Sequence, residues 1–178
     1  MRQFLLLLIS SLFLTSCTEQ YNIAGNSTVP VLDGRMLYLK VTPNGVTSEN
    51  IDSCKVIHGR FKFFGAVDSI VLAQVCMENE NVMPIALENG NLTISEDNLG
   101  QRVSVVPLNY RLYKFYRQNN RIDNEMWEIQ EKAIKMMRVG YSMDVINKKF
   151  GKKAEALNKK SEDLETNFIV ENSNNVLG

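Results

Sequence analysis

A chain of 178 residues, 44% hydrophobic and 22% charged, carries enough apolar material for one ordinary core and too little for two large domains. Twenty basic residues against twenty acidic ones leave no net charge, which removes the electrostatic footprint of a nucleic-acid binder. Three cysteines without any Cys-x-x-Cys spacing leave thioredoxin-type exchange no nucleophile pair.

The first segment, Phe4 to Leu14, is apolar, follows the single charge of Arg2 and is short for a bilayer span, so it reads as a secretory signal. It closes on Leu14-Thr15-Ser16-Cys17, which matches the bacterial lipobox. In that motif small residues admit the lipoprotein signal peptidase to the bond before a cysteine carrying diacylglycerol. Residues 1–16 are therefore expected to be a lipoprotein signal peptide and Cys17 the lipidated mature N-terminus. Burial in lipid contributes about 0.8 kcal/mol per methylene, so two or three acyl chains anchor stably where one holds marginally. The membrane, reached through this anchor, is the first partner expected. Thr18-Glu19-Gln20 lacks the acidic cluster of surface-export signals, which favours the periplasmic side of the outer membrane, with the cell surface as the alternative.

Beyond the anchor, Tyr21 to Ala24 reads as a first strand. Asp33-Gly34, Asn44-Gly45, His58-Gly59 and Asn89-Gly90 then punctuate extended apolar runs, the signal of hairpin turns. Between them lie Met36 to Val41, Ile51 to Ile57, Arg60 to Phe64, Ile70 to Met77, Val82 to Leu87, Leu92 to Ser95 and Arg102 to Val106. Leu37, Leu39 and Val41 alternate onto one face, as do Phe61 and Phe63. Seven or eight short strands at this spacing predict a two-sheet antiparallel β-sandwich over residues 17–107. The nearly continuous apolar run from Ile70 to Val75 predicts a central strand buried on both faces.

After Pro107 the period lengthens. Leu112, Phe115, Asn119, Ile122, Met126, Ile129, Ala133 and Met136 alternate steps of three and four, and after Gly140 a second stripe runs through Met143, Ile146, Phe150, Ala154, Leu157, Ser161, Leu164 and Phe168. Residues 108–178 are thus expected to form a long antiparallel helical hairpin, either folded back on the sandwich or projecting from it, and the fold class is α+β. Charge changes at the same boundary: residues 17–107 hold six basic and ten acidic side chains, residues 108–178 thirteen and ten.

Candidate sites are few. Cys54 and Cys76 permit a disulfide in an oxidising compartment, or stand as two free thiols packed as small hydrophobes. His58, the only histidine, precedes a turn glycine without an acidic or cysteine neighbour and reads as a solvated turn residue. Glu78, Glu80 and Glu88 have neither EF-hand spacing nor a convergent pairing and read as rim carboxylates. Tyr110, Tyr113 and Tyr116 make either a stacking strip or a wedge at the helix base. Trp127 is expected beneath the neighbouring helix. The lysines from Lys148 to Lys160 are a solvated face or a patch for anionic headgroups. No cofactor and no metal site are expected, and no catalytic residue is assigned. Asn26-Ser27-Thr28 and Asn91-Leu92-Thr93 fit N-glycosylation, which a bacterial lipobox argues against.

Three segments resemble a known family. Asp52 to Gly65 is similar to a "DS…G-x-F-x-F-x-G" hairpin, Leu87 to Ile94 to an "LENG-x-x-x-I" turn, and Phe168 to Asn175 to an "F-I-x-x-N-x-x-N" helix end. All three belong to an uncharacterised N-terminal domain of Bacteroidetes lipoproteins, a domain of unknown function of the DUF4369 type. In many relatives this domain precedes a thioredoxin-like module, and in others it does not. The resemblance supplies no catalytic residues. Asp68-Ser69-Ile70 resembles the O-glycosylation signal of Bacteroidetes secreted proteins, which makes Ser69 a candidate modification site. The resemblance implies a non-catalytic, membrane-anchored lipoprotein of the cell envelope acting by protein or envelope contacts, with an envelope protein as partner. The alternative is the accessory domain of a thiol–disulfide oxidoreductase whose redox module lies beyond this chain, with Gly178 a point of truncation.

Overall fold

The computed structural model describes residues 19–28, 30–78, 80–97, 100–103 and 106–178; Cys17 and the signal segment lie outside the described residues. Among the described residues, eight strands form two four-stranded sheets. The first has the order β4-β1-β7-β8, from β1 (Gln20–Ser27), β4 (Arg60–Ala66), β7 (Gly90–Asp97) and β8 (Gly100–Val103). The second has the order β3-β2-β5-β6, from β2 (Met36–Val41), β3 (Glu49–Lys55), β5 (Val71–Met77) and β6 (Glu80–Leu87). Two helices follow, α1 (Pro107–Arg138) and α2 (Met143–Glu171). The molecule is an α+β protein, a β-sandwich ahead of a helical hairpin.

Alternation in the strands builds the core between the sheets. Tyr21, Ile23, Phe63, Leu92 and Ile94 from one sheet meet Leu37, Leu39, Ala73, Val75, Ile85 and Leu87 from the other. Each fully buried Leu, Ile or Phe contributes about 1.5–3 kcal/mol through area removed from water. One pairing departs from an all-antiparallel plan: β1 runs parallel to β7, Ile23 opposite Leu92, while it runs antiparallel to β4. Spacing along the chain carries no signal for a pairing across some seventy residues.

The glycine turns also divide in a way their sequences do not announce. Gly34, Gly45, Gly59 and Gly90 all have positive φ. Asn44-Gly45 joins paired strands, with the Asn44 carboxamide oxygen accepting the N–H groups of Val46 and Thr47 at 3.0 and 2.8 Å. Asp33-Gly34 and Asn89-Gly90 instead carry the chain from one sheet to the other. His58-Gly59 is a two-residue turn with φ of 51° and 73°, closed by reciprocal Ile57–Arg60 backbone bonds, after which β3 and β4 part into different sheets.

The expectation for Ile70 to Val75 needs correction. β5 does sit inside its sheet, between β2 and β6, but the run alternates: Val71, Ala73 and Val75 meet the core, while Leu72 is 44% exposed. Helix covers the outer face of this sheet at Ala86 of β6, where Leu112 and Leu177 pack, and Leu72 remains open to solvent.

In the hairpin the heptad stripe is the seam except at its outer end, where Met143, first in the second stripe, is 56% exposed beside the turn. Ile122, Ile129 and Leu157 are buried with Met126, Phe150 and Leu164 around them, a cluster made of helix residues alone. The two polar stripe positions meet each other: the Ser161 hydroxyl donates to the Asn119 carboxamide oxygen at 3.4 Å. The helices are about 48 and 44 Å long at 1.5 Å per residue, and the sandwich touches them at the base, so the hairpin projects.

Candidate functional site: the junction of sandwich and hairpin

The junction starts from a capping problem. α1 opens on Pro107 after Val106, whose side chain offers no cap, so the first helical N–H groups need an acceptor from elsewhere. Glu88, at the end of β6, provides it. One carboxylate oxygen accepts the backbone N–H groups of Leu108 and Asn109, each at 3.2 Å, and the Asn109 side-chain amide at 2.9 Å. A negative charge at a helix N-terminus also complements the macrodipole.

Asn109 completes the joint. β6 is a sheet edge, with Pro84 in its middle removing one backbone donor. The Asn109 carboxamide takes the place of a neighbouring strand at Ala86, accepting its N–H at 3.0 Å and donating to its C=O at 2.7 Å. Asn109 is buried. Sequence reasoning missed it and treated Glu88 as a rim carboxylate; the available signal was a helix starting at proline with no capping side chain in front of it.

The returning end of α2 locks onto the same base. Phe168 stacks on Phe115 with ring centroids 4.3 Å apart. Asn172, fully buried, donates to the Phe168 carbonyl at 2.8 Å, and its own oxygen accepts from Asn175 at 3.2 Å and Arg111 at 3.4 Å. The Asn-x-x-Asn spacing is thus a helix-end clasp that brings Leu177 against Ala86 and Leu112.

Two hollows flank the joint. One, of about 240 Å³, lies between Val82, Met83 and Pro84 of β6 and Asn109, Leu112, Tyr113, Tyr116 and Asn120 of α1. The other, of about 770 Å³, is a groove between the helix bases that includes Tyr110, Arg111, Phe115 and Phe168. Tyr110, Tyr113 and Tyr116 therefore form no single strip, because each three-residue step rotates about 60° around a helix of 3.6 residues per turn. Tyr113 and Tyr116 wedge toward β6, and Tyr110 faces the helix groove.

The remaining candidates stand apart. Cys54 is half-buried, and Cys76 is buried with its thiol donating to the Gln74 carbonyl at 3.8 Å. They lie on β3 and β5, opposite the consecutive residues Leu37 and Tyr38 of the strand between them. They consequently project from opposite faces of the sheet, two strand spacings or about 10 Å apart. Cys54 packs against the core between the sheets, and burial, with a smaller contribution from Asp52, pushes its thiol up against the lowering effect of a Lys62 backbone hydrogen bond. His58 is exposed and shares a shallow depression with Ser27, Thr28 and Asp33. The Asp33 carboxylate there accepts the Gly59 N–H at 3.2 Å and so braces the turn. Ser69 lies exposed between β4 and β5. Trp127 overturns its expectation: it stands one position off the seam and is 62% exposed. Lys148, Lys149, Lys152, Lys153, Lys159 and Lys160 are all exposed. Among the described residues no group of three or more His, Cys, Asp or Glu side chains is placed to hold a metal ion, and no helix is long and apolar enough to cross a membrane.

The glycine–phenylalanine hairpin has a steric meaning as well. Gly25 lies opposite Phe61 and Gly65 opposite Tyr21, and a Cβ on either glycine would enter the facing ring. Aromatic rings lie across bare backbone, with the Phe61 and Phe63 rings edge to face at 6.0 Å.

Comparison with curated proteins finds no match. The family described as a domain of unknown function, DUF4369, matches residues 21–120, a span that runs from the first strand through the junction and ends at Asn120 within α1. Matched over more than half its length, with the sandwich and its capped helix base inside the match, the chain belongs to the DUF4369 family.

Proposed function

We propose that this protein is a non-catalytic lipoprotein of the cell envelope, anchored through an acylated Cys17 at the periplasmic side of the outer membrane and acting by contact with envelope components. The observation that carries this reading is the lipobox Leu14-Thr15-Ser16-Cys17 behind a short apolar segment. The junction chemistry supports the non-catalytic part. Its polar groups, the buried Asn109 and Asn172 and the half-buried Glu88, spend their hydrogen bonds on backbone and on neighbouring side chains, which is the chemistry of a joint. A projecting hairpin on a tethered sandwich suits a contact role. Metabolic labelling with a fatty-acid probe tests the anchor: the protein takes up label, and Cys17→Ser abolishes the label and releases the protein from the membrane fraction. An unlabelled protein, or a Cys17→Ser protein of unchanged mass and distribution, overturns it.

A further inference from the structure

The end of the hairpin remote from the sandwich carries an apolar cap. Met137, Val139, Tyr141, Met143 and Val145 are all exposed, Val139 by 77%, and together they cover the last turn of α1, the Gly140 turn and the first turn of α2. The seam does not need them, since it closes through Met136 and the buried Ile146. Turns exposed to water are ordinarily built of small polar residues, so an apolar turn points to another phase or partner.

Charge identifies which. The Lys153–Glu125 pair at 3.4 Å bridges the helices and marks the outer half of the hairpin. From Glu125 to Lys153 seven cations stand against four acids. Three of those acids are engaged by lysines: Glu125 by Lys153, Glu128 by Lys132 at 3.3 Å and Glu131 by Lys135 at 3.7 Å. Arg138, Lys148, Lys149 and Lys152 flank the cap along the two helices and are exposed, the Lys149 ammonium 5.5 Å from the Phe150 ring centroid, with Asp144 as the acid among them.

We propose that the hairpin tip is a docking surface for an anionic lipid bilayer. Its apolar side chains enter the boundary between headgroups and acyl chains, and the surrounding cations meet lipid phosphates, the combination that holds interfacial helices on membranes. A second copy fits less well. Tip-to-tip contact sets like charges against each other, and a turn of five apolar side chains falls short of the roughly 20–30 residues a side of a stable interface. This contact is additional to the anchor at Cys17 and does not rest on it.

A reporter at the tip tests the proposal in the full chain. Trp127 is the only tryptophan, so Trp127→Phe with Tyr141→Trp leaves a single tryptophan, in the turn, to be excited selectively at the red edge. Its emission shifts to the blue on adding phosphatidylcholine vesicles containing phosphatidylglycerol, and stays put with phosphatidylcholine alone. Lys148→Gln and Lys149→Gln weaken vesicle affinity by about fivefold per lysine, and Val139→Asp abolishes the response while circular dichroism stays unchanged. The same response in the Cys17→Ser chain shows that the tip acts without the anchor. An emission unmoved by anionic vesicles, an equal shift with neutral ones, or a shift on raising protein concentration without lipid overturns the proposal, the last result in favour of a second copy.

Discussion

In the sandwich, residues that hold one another are distant in the chain. Ile23 lies between Phe63 and Leu92, Gly25 admits Phe61, and Leu39 is flanked by Asp52 and Val75. In the hairpin, every seam residue meets a partner that the three-and-four spacing already dictated, as Ile122, Ile129 and Leu157 do. The first region stands or falls together, because a strand removed from either sheet uncovers the common core. The second is a ladder whose upper rungs depend on nothing below except continuity of the helices. A joint such as Asn109 and Glu88 is needed because these two kinds of stability must be coupled at one place.

The comparison is broken most severely at Phe63. Phe63→Ala empties a site 1% exposed between the sheets and should cost about 3–5 kcal/mol, read as a lower urea midpoint for strand and helix signals together. Asn109→Leu comes next. It leaves the Ala86 N–H and C=O without a partner in a buried place, at about 1–3 kcal/mol for each group. Its distinguishing outcome is that urea unfolding separates into two transitions, helix signal first. Glu88→Gln keeps an oxygen acceptor but loses the charge at the helix N-terminus, for about 1 kcal/mol in thermal unfolding. Trp127→Ala, on the solvent side of the ladder, should stay within about 0.5 kcal/mol.

Alkaline pH probes the sandwich alone. Burial, reinforced by Asp52, holds the Tyr21 phenol above its ordinary 10.0, and the Cys54 thiol is likewise raised above 9.0. Both groups therefore bind their protons more tightly folded than unfolded, so stability is full below pH 9.0 and falls as pH rises through the raised values. Urea midpoints taken across that range should decline, and Tyr21→Phe should flatten the upper part of the decline.

The same contrast decides what could be seen in advance. The β2 strand, the Phe61–Phe63 alternation and the seam inward of the turn are local patterns and appear in the sequence as they appear in space, whereas Met143, placed in the stripe by its spacing, lies exposed beside the turn. Strand pairing is not local, so the parallel β1–β7 ladder, and the two turns that change sheets instead of closing hairpins, were invisible. Trp127 was misplaced because one residue off a heptad seam turns a side chain by about 100°. The joint was half legible: Pro107 announced a helix start, while Glu88 and Asn109 acquire their roles only when the end of β6 reaches that start. The Phe168 and Asn172 pattern was visible as a family motif before its physical use as a clasp was.

Native-state hydrogen exchange tests most directly the claim that one joint couples a cooperative sandwich to a projecting ladder. Amides of β1 and β4 should exchange only through global unfolding, amides near Met136 and Ile146 through low-energy local opening, and Asn109→Leu should lower protection around Leu112 while leaving Ile23 and Phe63 above it. Protection uniform from Leu112 to Met136, or a loss at Asn109→Leu that spreads equally to β1 and β4, would contradict the account.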